Sequence, residues 1–259
     1  MHDTQQTVPQ CTHCGSHEKA RFDHGFSMAF QPIFDCATGE IFAHEALARG
    51  VDGAGASEVI AQVTTSNRYS FDQNCRTKAI QMASQLGLDG RLSINCMPNA
   101  ILDPINCLRT TIVAARKHAF PTHRLIFEFT ETEKIEDIAQ FRSVINAFRH
   151  LGFTVAFDDF GAGHANLGLL SDVQPDVVKL DMSLVRGIDR DRTRAAIVDA
   201  CLRMCAEIEI DVVAEGIETV EEFMHLRDAG VRLFQGYLFG KPQFEGLLHV
   251  SDVRLPYHA

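Results

Sequence analysis

Short apolar runs alternate with longer amphipathic stretches through most of this chain of 259 residues. The apolar runs have the length and the β-branched or aromatic content of strands, and the stretches between them carry apolar residues at helical spacing. Gly87 and Gly152 close two of these helical stretches, where a helix is expected to stop. The predicted strands begin at Ser27, Glu40, Arg91, Arg124, Phe153, Asp176, Asp211 and Arg232. This alternation predicts an α/β fold, a TIM-like (β/α)8 barrel.

The start of the predicted barrel departs from the regular alternation. Only the residues DCATG (35–39) separate the first two predicted strands. A parallel crossover needs a dozen or more residues, whereas a hairpin needs only a few. We therefore expect the first two strands to be antiparallel and the barrel to be irregular at its start.

Polar side chains stand at or near the carboxyl ends of the predicted strands. A single one is ordinary, because a strand that reaches solvent becomes polar. Seven segments with such residues in register indicate a site, because the strand ends of a barrel open on one face. The residues are Glu45, Asn95, Glu128, Asp158, Asp159, Lys179, Asp181, Glu215 and Gln235.

Asp158 and Asp159 are adjacent carboxylates that lead directly into a glycine-rich loop. Adjacent acids repel each other, so a cation between them would explain the pair. Carboxylate and amide oxygens are the ligands that Mg²⁺ or Mn²⁺ prefers. Two divalent cations together with Lys179 would balance five carboxylates, and such a site suits the hydrolysis of a phosphodiester.

The composition limits the class of protein. The formal charge of −10 argues against broad nucleic-acid binding, so we expect no DNA partner. No apolar run is long enough to span a membrane and the first residues do not resemble a secretory signal, so we expect a soluble, cytoplasmic protein with no membrane partner. The eight cysteines are scattered, which favours reduced, buried thiols over a disulfide framework.

Eight ordered motifs over residues 26–244 carry a resemblance to a known family. They are QPIFD (31–35), EALAR (45–49), INCMP (94–98), EFTE (128–131), DDFGAG (158–163), KLD (179–181), AEGIET (214–219) and QGYLFGKP (235–242). The chain resembles a stand-alone EAL-type cyclic di-GMP (c-di-GMP) phosphodiesterase domain. The resemblance implies a barrel that hydrolyses c-di-GMP to linear pGpG with Mg²⁺ or Mn²⁺, two per site.

The resemblance also implies roles for individual residues. Lys179 would contact the catalytic water. A hydroxide formed between the two metals would need no general base, and the alternative is that Glu215 acts as the base. Asp159 is the third residue of the implied catalytic set. One metal would be held by Glu45, Asn95, Glu128 and Asp158, and the other by Asp158, Asp159 and Glu215. Glu131 would support the loop after the two aspartates, although a carboxylate favoured at a helix start explains it equally well. The substrate contacts would be Gln31, Leu47, Arg49, Asp181, Glu218, Gln235 and Tyr237.

The chain departs from the family pattern at several positions. His164, Ala165 and Asn166 stand where a tyrosine and two serines are common, and Gly50 stands where a tryptophan is common. No implied metal ligand is lost. The intact ligand set and Lys179 favour the enzyme over two alternatives. One is a non-hydrolysing c-di-GMP receptor that acts through a protein partner, and the other is a regulator that works through protein contacts alone, for which a damaged pocket would be expected.

The sequence predicts an N-terminal extension, residues 1–25, before a barrel of residues 26–259. The extension contains CTHCGSH (11–17), in which Cys11 and Cys14 are spaced to bind a metal or to form a redox pair. The alternative is a polar, loosely ordered tail. An unidentified regulatory partner of this extension is an expectation, and a homodimer is implied by the family resemblance alone.

Overall fold

The computed structural model describes residues 20–97, 104–130, 135, 137–162 and 167–253. Within this part of the chain, nine strands and eight α-helices follow one another largely in alternation. The strands are β1 Ser27–Asp35, β2 Glu40–Arg49, β3 Arg91–Cys96, β4 Leu125–Thr130, β5 Thr154–Phe160, β6 Val177–Leu180, β7 Asp211–Ala214, β8 Leu233–Gln235 and β9 Gln243–Phe244. The helices are α1 Ala56–Ile60, α2 Arg68–Gln85, α3 Pro104–Lys117, α4 Ile138–His150, α5 Leu167–Asp172, α6 Met182–Val185, α7 Arg192–Glu207 and α8 Val220–Asp228. Short 3₁₀ turns lie at Thr122–Arg124, Ile188–Arg190 and Val250–Asp252.

Eight strands close into a barrel, which confirms the predicted fold class. β2 to β8 pair in chain order and run parallel. β1 closes the barrel because it pairs with both β2 and β8, antiparallel to each. The antiparallel start expected from the short DCATG connection is therefore confirmed. β9, which was not predicted, adds two residues beside β1 and is too short to show a sequence period.

The helices pack on the outside of the barrel through their apolar faces, as α4 illustrates. Asp137 caps its first turn by accepting a hydrogen bond from the Gln140 backbone amide at 2.9 Å. Its buried residues are Phe141, Val144, Ile145 and Phe148, at the three-and-four spacing seen in the sequence. Gly152 ends the helix region with φ +81°, a conformation that favours glycine. Each fully buried side chain of this kind contributes about 1.5–3 kcal/mol.

A second, smaller apolar cluster fills the inside of the barrel. It consists of residues whose side chains point inward from seven strands, namely Ile33, Ala43, Ile126, Ala156, Val177, Val213 and Leu233. All seven are nearly inaccessible to solvent. The barrel is therefore closed by packed side chains beneath the carboxyl ends of its strands.

The described cysteines carry free thiols: Cys36, Cys75, Cys96, Cys201 and Cys205. Burial raises the pKa of the Cys205 thiol to about 11, which suits an unreactive side chain. Cys11 and Cys14 lie outside the described residues, so the predicted metal or redox role of the extension stays a prediction. No helix in the described segments combines the length and apolar character needed to cross a bilayer.

Candidate active site

Lys179 lies at the centre of the polar residues inside the barrel. Its strand, β6, places the ammonium group where only 1% of the side chain is exposed. Four carboxylates from four other strands or strand ends surround it. The distances from Lys179 Nζ are 2.7 Å to Glu215, 2.9 Å to Glu128, 3.1 Å to Asp158 and 3.4 Å to Glu45. The structure therefore brings together residues separated by up to 170 positions in the sequence (Glu45 and Glu215).

Neighbouring polar side chains hold two of these carboxylates. Glu45 accepts hydrogen bonds from the Asn95 amide at 2.8 Å and from the Gln235 amide at 2.7 Å. Glu128 accepts one from the Ser93 hydroxyl at 2.6 Å, in addition to its contact with Lys179. Because the Asn95 nitrogen donates to Glu45, its oxygen is left to act as a ligand. These hydrogen bonds fix the orientations of both carboxylates.

Asp158 and Asp159 both reach the site because β5 is irregular. Neighbouring residues of a regular strand point to opposite faces, so only one of the two would face inward. The pairing of β5 with β6 shifts register between Phe157 and Phe160, and Asp159 adopts φ +57°. A bulge of this kind redirects a side chain, and strained backbone of this kind is common at functional sites. Thr130 then donates a hydrogen bond of 3.0 Å to Asp159.

Two overlapping groups of carboxylates have the spacing needed to hold a cation. In each group, one oxygen from every member lies within 4.8 Å of the others. The first group is Glu45, Glu128 and Asp158, and the second is Asp158, Asp159 and Glu215. Asp158 belongs to both groups.

The electrostatics of the site are unfavourable for carboxylates alone. Burial, reinforced by neighbouring carboxylates, raises the pKa of Glu128 and of Glu215 well above their ordinary values. Burial also opposes the charge of Lys179, but the surrounding carboxylates, Asp158 foremost, outweigh it and hold its pKa well above the ordinary range. One lysine cannot balance four buried carboxylates. The donor set and its excess negative charge therefore fit divalent cations with oxygen ligands.

A cavity of about 280 Å³ adjoins these carboxylates. Six of the seven predicted substrate contacts line it, namely Gln31, Leu47, Asp181, Glu218, Gln235 and Tyr237. The seventh, Arg49, does not line the cavity in this structure, and its guanidinium donates a hydrogen bond to the Ala48 carbonyl at 2.8 Å. A larger cavity of about 800 Å³ lies between α7, the start of β7 and the residues that follow α8, and none of the predicted site residues lines it.

Some predicted residues cannot be placed, and some contributing residues were not predicted. Glu131 and the altered loop residues His164, Ala165 and Asn166 lie outside the described residues. Ser93 and Thr130 were missed, although each stands two positions from a predicted ligand on the same strand, Ser93 before Asn95 and Thr130 after Glu128. The two-residue period of a strand was the available signal.

Comparison with known proteins identifies a family model and several relatives that match this chain. The family model described as EAL domain matches residues 18–242. The blue light- and temperature-regulated antirepressor BluF of Escherichia coli is 34% identical over 224 residues, which are 86% of this chain and 56% of BluF. The cyclic di-GMP phosphodiesterase NbdA of Pseudomonas aeruginosa is 29% identical over 85% of this chain and 29% of NbdA. This chain thus spans about half or less of these relatives.

Solved structures show the same likeness. A standalone versatile EAL protein from Vibrio cholerae O395, in its c-di-GMP bound form, is 46% identical with a TM-score of 0.88, over 92% of this chain and 99% of that chain. BlrP1 of Klebsiella pneumoniae, in a manganese and c-di-GMP complex, is 36% identical with a TM-score of 0.82, over 89% of this chain and 59% of that chain.

Proposed function

The chain belongs to the EAL domain family, and from this premise we propose that it hydrolyses c-di-GMP to linear pGpG in a reaction that requires Mg²⁺ or Mn²⁺. Relatives named as c-di-GMP phosphodiesterases and neighbours bound to c-di-GMP support this substrate. The observation that carries the proposal is the pair of carboxylate groups sharing Asp158, beside a cavity lined by the expected substrate contacts.

The proposed ligands divide between two cations. Glu45, Asn95, Glu128 and Asp158 would hold the first, and Asp158, Asp159 and Glu215 the second. When bound, divalent cations lower the pKa of a coordinated water and stabilise negative charge on the phosphoryl oxygens. The proposal of two cations per site rests on the overlap of the two carboxylate groups at Asp158.

The chain's own residues would orient the reactants. In the overall reaction a water oxygen bonds to phosphorus, the bond from phosphorus to the ribose 3′ oxygen breaks, and a proton reaches that oxygen. Lys179, held by four carboxylates, would donate a hydrogen bond to the attacking water and keep it in place. Glu215, 2.7 Å from Lys179, is the candidate to receive the proton.

The remaining assignments concern the substrate and partners. Gln31, Leu47, Asp181, Glu218, Gln235 and Tyr237 would contact c-di-GMP from the cavity wall. Arg49 would leave the Ala48 carbonyl to pair with a phosphate oxygen. We also propose that the protein forms a homodimer, that Glu131 supports the loop after the two aspartates, and that residues 1–25 bind a regulatory partner.

The test is chromatographic. Purified protein is incubated with c-di-GMP and Mg²⁺ or Mn²⁺, and the nucleotide products are separated and identified. We expect linear pGpG with either cation and none when a chelator removes it. Equal product with and without the chelator would contradict the metal requirement.

A second function is favoured by one comparison. BluF, a relative at 34% identity, is named an antirepressor, a function that can be exerted by binding a protein. The corresponding candidate is a receptor that binds c-di-GMP without hydrolysing it and passes the signal to a protein partner. Recovery of intact c-di-GMP bound to the protein, with no pGpG formed, would select this function.

A further inference from the structure

Arg186 reaches from the end of α6 to the mouth of the substrate cavity. Its guanidinium donates a hydrogen bond of 2.7 Å to Glu218 Oε1, and Glu218 lines the cavity. Among the described residues, the other carboxylate oxygen of Glu218 accepts no hydrogen bond. Neither the family resemblance nor the two carboxylate groups assigns any role to Arg186.

The backbone at both ends of this pair is held by one buried side chain. Glu222 is 2% exposed and accepts hydrogen bonds from the Gly187 amide at 2.9 Å and from the Glu218 amide at 3.1 Å. Gly187 directly follows Arg186, so Glu222 links the backbone next to Arg186 to the backbone of Glu218. Because the backbones are fixed, the ion pair loses less conformational entropy than a pair between free surface side chains.

Helix α6 also contacts two other parts of the site. Asp181, which lines the cavity, caps α6 by accepting a hydrogen bond from the Ser183 amide at 2.8 Å. A side chain at Gly161, just after the two aspartates, would overlap Leu184 of this helix. Arg186 therefore stands at the end of an element that is already packed against the site.

The negative charge of the cavity indicates a role for the Arg186–Glu218 pair. Five carboxylates line the cavity: Glu45, Asp159, Asp181, Glu215 and Glu218. A substrate with two phosphodiester charges would be repelled by a carboxylate at the mouth that had no cationic partner. The hydrogen bond from Arg186 lowers the pKa of Glu218, and the bond to Glu218 raises the pKa of Arg186, so both stay charged at neutral pH.

We propose that Arg186 is a positioning residue for substrate binding, an inference that rests on the proposed function. It holds Glu218 by one carboxylate oxygen and offsets its charge. The other oxygen is then available to accept a hydrogen bond from the N–H groups of a guanine base. Arg186 acts through Glu218 and does not take part in the chemical step.

The first experiment replaces Arg186 with methionine, which keeps the length of the side chain and removes its charge. We expect KM for c-di-GMP to rise about 3- to 10-fold and kcat to stay within about twofold. Arg186→Lys keeps the positive charge and should therefore raise KM less than Arg186→Met does. The matched control is Arg124→Met. Arg124 is about as exposed as Arg186 and pairs with Asp89 at 2.9 Å just before β4, so this variant should leave KM unchanged.

The second experiment tests whether Arg186 acts through Glu218. We expect Glu218→Gln to raise KM and the added Arg186→Met change to raise it little further, because the two residues form one unit. Any of three results would overturn the inference. They are a double variant whose rise in KM equals the product of the two single rises, an unchanged KM in Arg186→Met, or a loss confined to kcat.

Direct binding separates this inference from the proposed reaction. Equilibrium dialysis of c-di-GMP in the presence of a chelator measures affinity without turnover. If the wild type binds without hydrolysis, only the proposed reaction fails, and a 3- to 10-fold weaker affinity of Arg186→Met still supports the inference. If the wild type neither binds nor hydrolyses, both fail. If it binds and the variant binds equally well, the inference alone fails.

Discussion

Two layers of side chains inside the barrel lie two residues apart along the same seven strands but differ in chemistry. The lower layer is apolar and comprises Ile33, Ala43, Ile126, Ala156, Val177, Val213 and Leu233. Two residues further toward the open end, on the same inward faces, stand Gln31, Glu45, Glu128, Asp158, Lys179, Glu215 and Gln235. Most members of both layers are buried.

The two layers are similarly placed but have opposite effects on stability. Burying an apolar side chain such as Ile126 or Leu233 stabilises the barrel by about 1.5–3 kcal/mol. Burying several carboxylates around one lysine is unfavourable, because desolvation and mutual repulsion exceed what a single ammonium group offsets. We therefore attribute the polar layer to the proposed binding of cations and substrate, and the apolar layer to the stability of the fold. Substitutions in one layer and then the other test this distinction.

The largest effect on turnover is expected at Asp158, the carboxylate shared by both groups. Asp158→Asn should lower kcat by about a thousandfold or more, because it would weaken both proposed cation sites at once. The fold should persist, since the change removes charge from a crowded cluster. Steady-state kinetics measure the loss of kcat, and thermal unfolding measures whether the fold persists. The exposed control, Asp89→Asn, should be fully active; near-normal hydrolysis by Asp158→Asn would refute a bridging role.

Lys179 should show the next largest effect. Lys179→Met should lower kcat by about 100-fold or more while changing KM less, because the proposed role of the lysine is to orient the attacking water. Without metal, the uncompensated carboxylates should also reduce the free energy of unfolding by about 3–5 kcal/mol. Urea denaturation with a chelator and with Mn²⁺ measures the loss, which Mn²⁺ should partly restore. An unchanged kcat would remove Lys179 from the mechanism.

Ser93 should affect metal binding more than turnover. Ser93→Ala removes the 2.6 Å hydrogen bond to Glu128 and should weaken the apparent affinity for Mn²⁺ about 10- to 100-fold. At saturating Mn²⁺, kcat should recover most of its value. Ser84→Ala, which removes a comparable 2.7 Å bond to the His118 carbonyl on the outside of the barrel, should leave metal affinity unchanged. Equal metal affinity in both variants would show that Ser93 does not position Glu128.

Ile126, one step below Glu128 on β4, should have the smallest effect on activity. Ile126→Ala should reduce the free energy of unfolding by about 2–5 kcal/mol, because it leaves a cavity in the apolar layer. Well below the melting temperature, kcat and KM should stay within a few-fold of the wild type. Urea denaturation and kinetics on the same preparation check this. A loss of kcat at unchanged stability would mean that the apolar layer shapes the site directly.

The strands and most site residues were predictable because their signals are local. The eight apolar runs all became strands of the barrel, and the short DCATG connection correctly indicated the antiparallel start. The polar residues at the strand ends converge as expected, since parallel strands deliver their carboxyl ends to one face. Ser93 and Thr130 were overlooked because a hydroxyl in a strand is ordinary until its partner on the neighbouring strand is known.

The sequence by itself determined the barrel, its irregular start and the set of acidic residues at its open end, because the period of a strand and the length of a connection are properties of neighbouring residues. Only the tertiary structure decided that β5 bulges so that Asp159 joins Asp158, that one lysine lies among four carboxylates, and that Arg186 holds Glu218. These features depend on backbone register and on contacts between distant segments. A sequence pattern records neither, so they emerge only when the barrel closes.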